Sequence, residues 1–496
     1  MKNFKRKLQA AGIAGLVLGL VVACGGGGGA TLAGIDRLGV STGTITGFGS
    51  VFVNGVEYST TGGTTFDIDD NAVASQAELQ VGQQVTVQWS SSDDGVTRRA
   101  LQVIYDDSVE GPITAGSIDP ATQSFVVLGQ TIVVDADTSF AAPLIDLDSL
   151  ADGNAVKVSG LLSNPAGGVV VRATRIERKT PGGQIEIRGT VSNRTGNTFV
   201  INGQVVLTTG APPAIIDTPS GVVSNGDFVE AEGTVVNGAG QLVATRVELE
   251  DGEERIGADG DEAEVEGYVT LFTSPSSFSV SGVPVQSSVA ATGGTVALGA
   301  KVRVKGEFNA AGAIVASEVQ VRSGAGGSPV DTRILALVDS VTVGTGQLVL
   351  LGVIIQTDAN TRFEDQSNDN VRSFSLADLR AGGNPDFVEV RGIAQGNNTI
   401  LATLLQRQEP ESQGQGELRG SLGTRNDPDF TILGVVVETD DFTTFFDADE
   451  NEISAAAFFA GAVAPGDEVK VKFLFLDQVG PSSTILADEV EIEIED

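Results

Sequence analysis

The sequence predicts an all-β chain, a tandem array of about six small five-stranded barrels. Three observations lead there. An apolar alternation broken by one glycine returns along the 496 residues as SVFVNGVEY, SFVVLGQTIVV, TFVINGQVVL, SFSVSGVPVQ, QLVLLGVIIQ and DFTILGVVVE. The shared glycine falls at Gly55, Gly129, Gly203, Gly282, Gly352 and Gly434, a period of about 70–80 residues, which is one small domain per copy. The composition also fits: 64 glycines with abundant Val and Thr suit short strands and tight turns, and 41% apolar against 5% aromatic residues calls for aliphatic cores.

The amino terminus reads as a targeting segment. Lys2, Lys5, Arg6 and Lys7 make a basic start, and the stretch from Ala10 to Ala23 is apolar or small without a charge. That run is too short to span a bilayer as a helix, but it suits the apolar core of a signal peptide. It closes on Val21-Val22-Ala23-Cys24, which resembles a bacterial lipobox, and Cys24 is the one cysteine in the chain. Residues 1–23 are therefore expected to be a lipoprotein signal peptide. Cys24 would carry the lipid that anchors the chain to a membrane, followed by a glycine-rich tether over residues 24–40. Gly25 stands where Asp is associated with inner-membrane retention, so the outer membrane of the cell envelope is the expected address. Cleavage removes four basic residues and makes a formal charge of −35 more negative still. Such a surface repels nucleic acid. With its cysteine lipidated the chain has no disulfide, and the barrels must stand on burial alone.

Each copy carries three signatures in a constant order. A short strand such as TGTITG leads into the hairpin around the shared glycine. A Gly-led turn then opens a fourth strand that usually ends in glycine, as in DGNAVKVSG from Asp152 or LGAKVRVKG from Leu298. A fifth strand of the form A-x-x-V closes the copy, as in ATRIER and ADEVEIE. Between strands three and four lies a variable segment, such as that from Phe374 to Leu379, with room for a helical turn. Five strands with a short helix before the fourth suit an OB-like barrel, and closure removes the unpaired edges that isolated strands would expose. A six-bladed propeller fits less well, because its repeats are shorter. The copies are placed at residues 41–107, 108–180, 183–250, 262–323, 331–408 and 415–496. Links such as SGAGGSPVDT from Ser323 and EPESQGQGE from Glu409 are polar or glycine-rich, which predicts independent barrels strung like beads.

GTITGFGSVFVNGVEY, with the downstream Gly-led and A-x-x-V strands, resembles a family of bacterial lipoproteins and secreted proteins that carry tandem copies of a small OB-like domain of unknown function. The likeness spans essentially the whole chain after the signal peptide. It implies a cell-envelope location and the OB-like fold, and it carries over no catalytic residue.

The chemistry open to the chain is narrow. There is no histidine, so Ser-His-Asp and Cys-His arrangements, HExxH zinc sites and histidine general bases are excluded. The segment from Gly47 to Phe52 begins like a dinucleotide fingerprint, but it ends in Phe52 and leads into a strand. Nucleic-acid binding by an OB fold needs a basic groove and stacking aromatics. Here the surface is acidic, and Trp89 shares strand parity with Val85 and Val87 as a core residue would. One constellation suggests calcium. Asp67, Asp69 and Asn71 follow the T-x-F of copy one, and Asp447, Asp449 and Asn451 follow that of copy six. D-x-D-x-N is the opening half of a calcium loop, and Glu78 stands where copy one would place a bidentate ligand. The expectation from sequence is a non-enzymatic, lipid-anchored envelope protein whose repeated modules bind an envelope protein or a glycan, or act as a spacer. The alternatives are a carboxylate-based glycan hydrolase and a calcium-responsive surface protein.

Overall fold

Alternation decides the first barrel strand by strand. In the computed structural model β1 (Leu38–Phe48), β2 (Val51–Val53), β3 (Val56–Ser59), β4 (Thr65–Ile68), β5 (Gln84–Ser91) and β6 (Arg98–Tyr105) bury their apolar parity. β1 pairs antiparallel with β2 and β2 with β3; β3 runs parallel to β6, which pairs with β5, and β5 returns to β1. The ladder closes on itself as an OB-like five-stranded barrel, with β4 an extra short strand beside β6. In its described residues the variable segment holds one 3-10 turn, Gln76–Glu78. Five further barrels follow, and the chain is all-β in its described parts. The structure describes residues 37–69, 74–91, 97–163, 170–250, 257–323, 332–396, 398–410, 414–448, 451–474 and 483–493. The expected signal peptide, Cys24 and most of the tether lie outside these residues, as do Asn71 and Asp449.

The repeated glycine closes a turn in which both central residues have positive φ, at Asn54 and Gly55 (51° and 74°) and at the same place in every copy. This twist matches that of the flanking strands, and Asn-Gly is its best sequence. Leu128, Leu351 and Leu433 adopt it too. The left-handed region costs an L residue about 1–2 kcal/mol, and burial of Leu128 and Leu351 in their cores offsets that cost.

The glycine that ends the fourth strand has a different task. The ladder between strands four and five slips by a bulge at the same point in each barrel: at Gly160, Gly233, Gly306 and Gly392, but at Trp89 and Phe473 in barrels one and six. A Cβ on any of the four glycines would overlap a carbonyl of strand five. Where the aromatic replaces glycine, the residue opposite it on strand one is itself glycine. Gly39 faces Trp89 and Gly416 faces Phe473, and a Cβ on either would overlap the ring. Volume is conserved across the pair. Trp89 is buried, and its indole N–H donates to Ser41 Oγ at 2.9 Å, so it is a core plug and not a stacking platform.

The barrels are not beads on a string. Only residues 45–48 of β1 pair with β2, which leaves one edge of residues 39–42 open; the first strand of barrel four (Glu262–Ser274) covers that edge in parallel. Barrels two and three join at the same edges (Val109–Pro112 with Ile185–Thr195), and so do five and six (Thr332–Leu337 with Gln415–Asn426), both antiparallel. An open sheet edge is a liability, and here each barrel's first strand covers another's. The polar composition of the links says nothing about these edges, which is why it pointed the wrong way.

Charged side chains then tie the pairs together. Barrel two is the hub. Its Lys157 pairs with Asp69 of barrel one, its Asp137 with Lys301 of barrel four, its Arg175 with Glu364 of barrel five at 2.7 Å, and its Asp148 with Lys470 of barrel six at 3.1 Å. In each pair the cation is largely buried while Asp69, Asp137 and Asp148 keep part of their surface in solvent, and only Arg175–Glu364 is buried on both sides. A buried charge left without its partner costs about 3–5 kcal/mol. The pairs therefore select which barrel faces which.

Candidate functional site

One local device recurs where strand three ends. In barrels one, two, five and six the threonine of T-x-F donates its hydroxyl to the carbonyl of the alanine that opens A-x-x-V: Thr64 to Ala100 (2.9 Å), Thr138 to Ala173 (2.8 Å), Thr361 to Ala402 (2.8 Å) and Thr443 to Ala487 (2.7 Å). The same oxygen accepts the amide three residues upstream, at Thr61, Asp135, Asp358 and Asp440. The hydroxyl thus pins the loop to the barrel wall, and the residue after it starts a short strand facing outward. That residue is Thr65, Ser139, Arg362 or Thr444.

In barrel five this strand, Arg362–Asp365, lies against barrel two. By strand parity Arg362 and Glu364 share a face. Arg362 Nη1 donates to the Thr174 carbonyl at 3.0 Å, while Glu364 accepts from Ser139 Oγ at 2.7 Å and pairs with Arg175. Behind Arg362 a cavity of about 250 Å³ opens between barrels one, two, four and five. Its wall includes Thr44 and Asn54, Asp137 and Thr174, Glu266, Tyr268, Lys301 and Arg322, and Asp358, Arg362, Ile393 and Thr403.

The charges around it are uneven in their satisfaction. Asp137 pairs with Lys301, whose ammonium also lies 3.7 Å from Glu266. Burial would push Asp137 up, but Lys301 and Arg362 outweigh it and hold the carboxyl down at about 2. Neighbouring Asp135 goes the other way: burial and the Asp137 charge push it up to about 6, against Arg172 and Lys301. Asp358 accepts the amides of Asn360 (2.8 Å) and Thr361 (3.1 Å) and so serves its own turn. Arg362 is 4% exposed, and its Nη2 has no hydrogen-bond partner among the described residues. Burial lowers its pKa, with Arg391 adding to the effect and Asp137, Asp135 and Glu364 opposing it. The other buried lysines and arginines, from Lys157 to Lys470, all sit in ion pairs.

The residues expected to hold calcium do not gather at this cavity. Asp67 is buried on β4, and Asp69, at the end of that strand with φ of 46°, is held by the Lys157 ammonium. Glu78 accepts the Ser75 amide at 2.8 Å in a capping box. Asp447 accepts the amide of Asn451 at 2.9 Å and its side-chain amide at 3.1 Å. Among the described residues no three carboxylates converge as a metal site. A cation entering the first loop would have to displace Lys157 from Asp69. Sequence reading passed over Arg362, Asp137 and Lys301 because charged residues in an acidic chain read as solvated. The signal was the T-R-F of copy five, which puts the largest cation at a position where the other three T-x-F copies carry Ser or Thr.

No curated protein matches the chain. Among solved structures, drosophila Unr CSD456 aligns with 44% of this chain and 98% of its own, at 17% identity and a TM-score of 0.13. A family profile described as Domain of unknown function (DUF5666) matches residues 42–103, 110–177, 188–248, 266–320, 337–406 and 421–491, one stretch within each barrel. With six successive matches covering most of its length, the chain belongs to the DUF5666 family.

Proposed function

We propose that the protein is a non-enzymatic, lipid-anchored component of the cell envelope, in which six barrels form one rigid platform for binding or structural support. The carrying observation is the joining of barrels by first-strand pairs and by ion pairs centred on barrel two, of which Arg175–Glu364 is buried on both sides. A flexible spacer has no use for charges matched across barrels, whereas a platform needs its surfaces held in fixed relation. The anchor is the lipid on Cys24, in the outer membrane, and the partner class is an envelope protein or a glycan. A chain without histidine, and with its one cysteine lipidated, has few groups left for general acid–base or nucleophilic work.

Replacing Cys24 by serine tests both halves of this reading. The parent chain is expected in the outer-membrane fraction and Cys24→Ser in the soluble fraction; equal fractionation of the two removes the anchor. Small-angle scattering of the released variant is expected to be the same at low and high salt. A profile that expands with salt, as separating beads would, removes the platform.

A further inference from the structure

In a chain of formal charge −35, residues 268–300 carry no charged side chain, and they hold the whole hairpin of barrel four, Ser277–Val280 with Val283–Ser287. In the other five barrels the repeated glycine of the hairpin is covered by a neighbouring barrel. A Cβ on Gly55 would overlap the Ala359 carbonyl of barrel five, and one on Gly434 the Asn398 side chain of barrel five. A Cβ on Gly352 would crowd Ser483 of barrel six, and Gly129 and Gly203 lie against each other. Gly282 of barrel four has nothing within 4 Å among the described residues. The outer wall beside it is open as well. Leu271, Ser279 and Pro284 are register neighbours on three strands; Leu271 is 61% exposed and Val315 48%.

The element that covers barrel one's hairpin also has an uncovered copy. It is the turn pinned by the threonine of T-x-F. In barrel two, Asp137 of this turn pairs with Lys301 of barrel four, and the Ala136 carbonyl accepts from Thr403 of barrel five at 2.9 Å. In barrel five, Ala359 sits on the Gly55 hairpin of barrel one, and Asn360 Oδ1 accepts from Arg303 of barrel four at 3.5 Å. Barrel one has Gly62 and Gly63 at the same places, with no side chain to dock. Barrel six has Phe442, 89% exposed, more than any other large apolar residue described. Its turn is held: Asp440 accepts the Phe442 amide at 2.8 Å, and Thr443 donates to the Ala487 carbonyl. A phenyl presented on a preformed turn loses little freedom on docking, and its burial is favourable in proportion to the area removed from water. The flanking Asp440 and Asp441 narrow the choice of surface. Most of this acidic molecule repels them; the charge-free wall of barrel four does not.

We propose that the Phe442 turn of one copy docks on the uncovered hairpin wall of barrel four in a second copy. The contact repeats between chains what barrel five's turn does to barrel one's hairpin within the chain. Its two faces differ, so it is head-to-tail, and each copy keeps one face free for the next. This goes beyond the platform reading, since units joined in this way extend into a row or close into a ring.

Sedimentation of the full chain carrying Cys24→Ser, over a concentration series reaching millimolar, tests the contact. The expected result is dimers and larger species that grow with concentration. Phe442→Ser removes the docking side chain and Leu271→Glu places a charge on the wall. Both positions are exposed, so the urea midpoint is expected to stay that of the starting chain. Each variant is expected to be monomeric where the starting chain is associated. An equimolar mixture of the two is expected to give a dimer and nothing larger, because each retains the face the other has lost. A starting chain that stays monomeric throughout the series overturns the proposal, as does a mixture without dimer. Association unchanged in Phe442→Ser or in Leu271→Glu overturns it too, the latter because Phe442 would then meet another surface. None of these results bears on the fractionation of Cys24→Ser or on the salt test, so the two readings fail separately.

Discussion

Among the buried arginines of barrel five, Arg333 at 5% exposure and Arg362 at 4% are treated in opposite ways. Arg333 lies on the first strand. Its Nε donates to Glu389 at 3.0 Å, its Nη1 to Glu417 of barrel six at 2.9 Å and to Asp146 of barrel two at 3.3 Å, and its Nη2 reaches the Ile145 carbonyl. Three barrels meet on one guanidinium with its donors engaged. Arg362, on the short strand of the same barrel, meets one carbonyl. The lesson is that burial alone does not give a charge its role. Where carboxylates converge, the arginine is a joint; where they do not, it stays half-satisfied.

The largest expected effect lies on the Arg333 side. Arg333→Ala leaves Glu417 without its cation and Glu389 with Arg391 alone, and removing one partner of a buried cluster costs about 3–5 kcal/mol. The urea midpoint should fall accordingly, and a midpoint within error of the parent would show that the joint is not one. Acid is a gentler way to break the same cluster. Burial pushes Glu389 up, yet Arg333 and Arg391 outweigh it and hold the carboxyl down at about 2. Its folded value lies below the ordinary carboxylate value of about 4.5. The stabilisation is therefore full above that pH and is lost as pH falls toward 2, in total about 3 kcal/mol. Midpoints of the parent and of Glu389→Gln, followed against pH, should differ by a constant amount above pH ~5 and converge on acidification. Parallel curves down to the acid limit would remove Glu389 from the account. The smallest effect is expected at Arg362. Arg362→Met removes one hydrogen bond and a charge that feels Asp137, Asp135 and Glu364 without a direct ion pair to any of them, so the midpoint should move by no more than about 1 kcal/mol in either direction. A loss as large as that of Arg333→Ala would erase the contrast between the two arginines.

Much of a single barrel was legible. The hairpin glycines, the Gly-led turn into strand four, the A-x-x-V strand and the burial of Trp89 all follow from residues within one copy. Turn geometry and side-chain parity depend on neighbours in sequence. The candidate site was not legible. Its parts come from Asn54, Asp137, Lys301 and Arg362, one from each of four copies, and nothing local distinguishes them from solvated surface. The aspartates of the expected calcium loop show the reverse side of the same limit. Their spacing was local and suggestive, yet what Asp69 meets is Lys157 of another barrel.

Two kinds of information therefore divide the molecule. The array of six five-stranded barrels is written in periodicity, because each barrel closes its own ladder and buries its own alternating face. Which barrel joins which was decided only in three dimensions. Every first strand leaves a similar half-edge open, so the edges alone permit many partners. The choice falls to charges that must all be matched at once, such as Lys157 with Asp69 and Lys470 with Asp148, 88 and 322 residues apart in the chain. A sequence pattern reports which face of a strand is buried; only the folded chain reports against what.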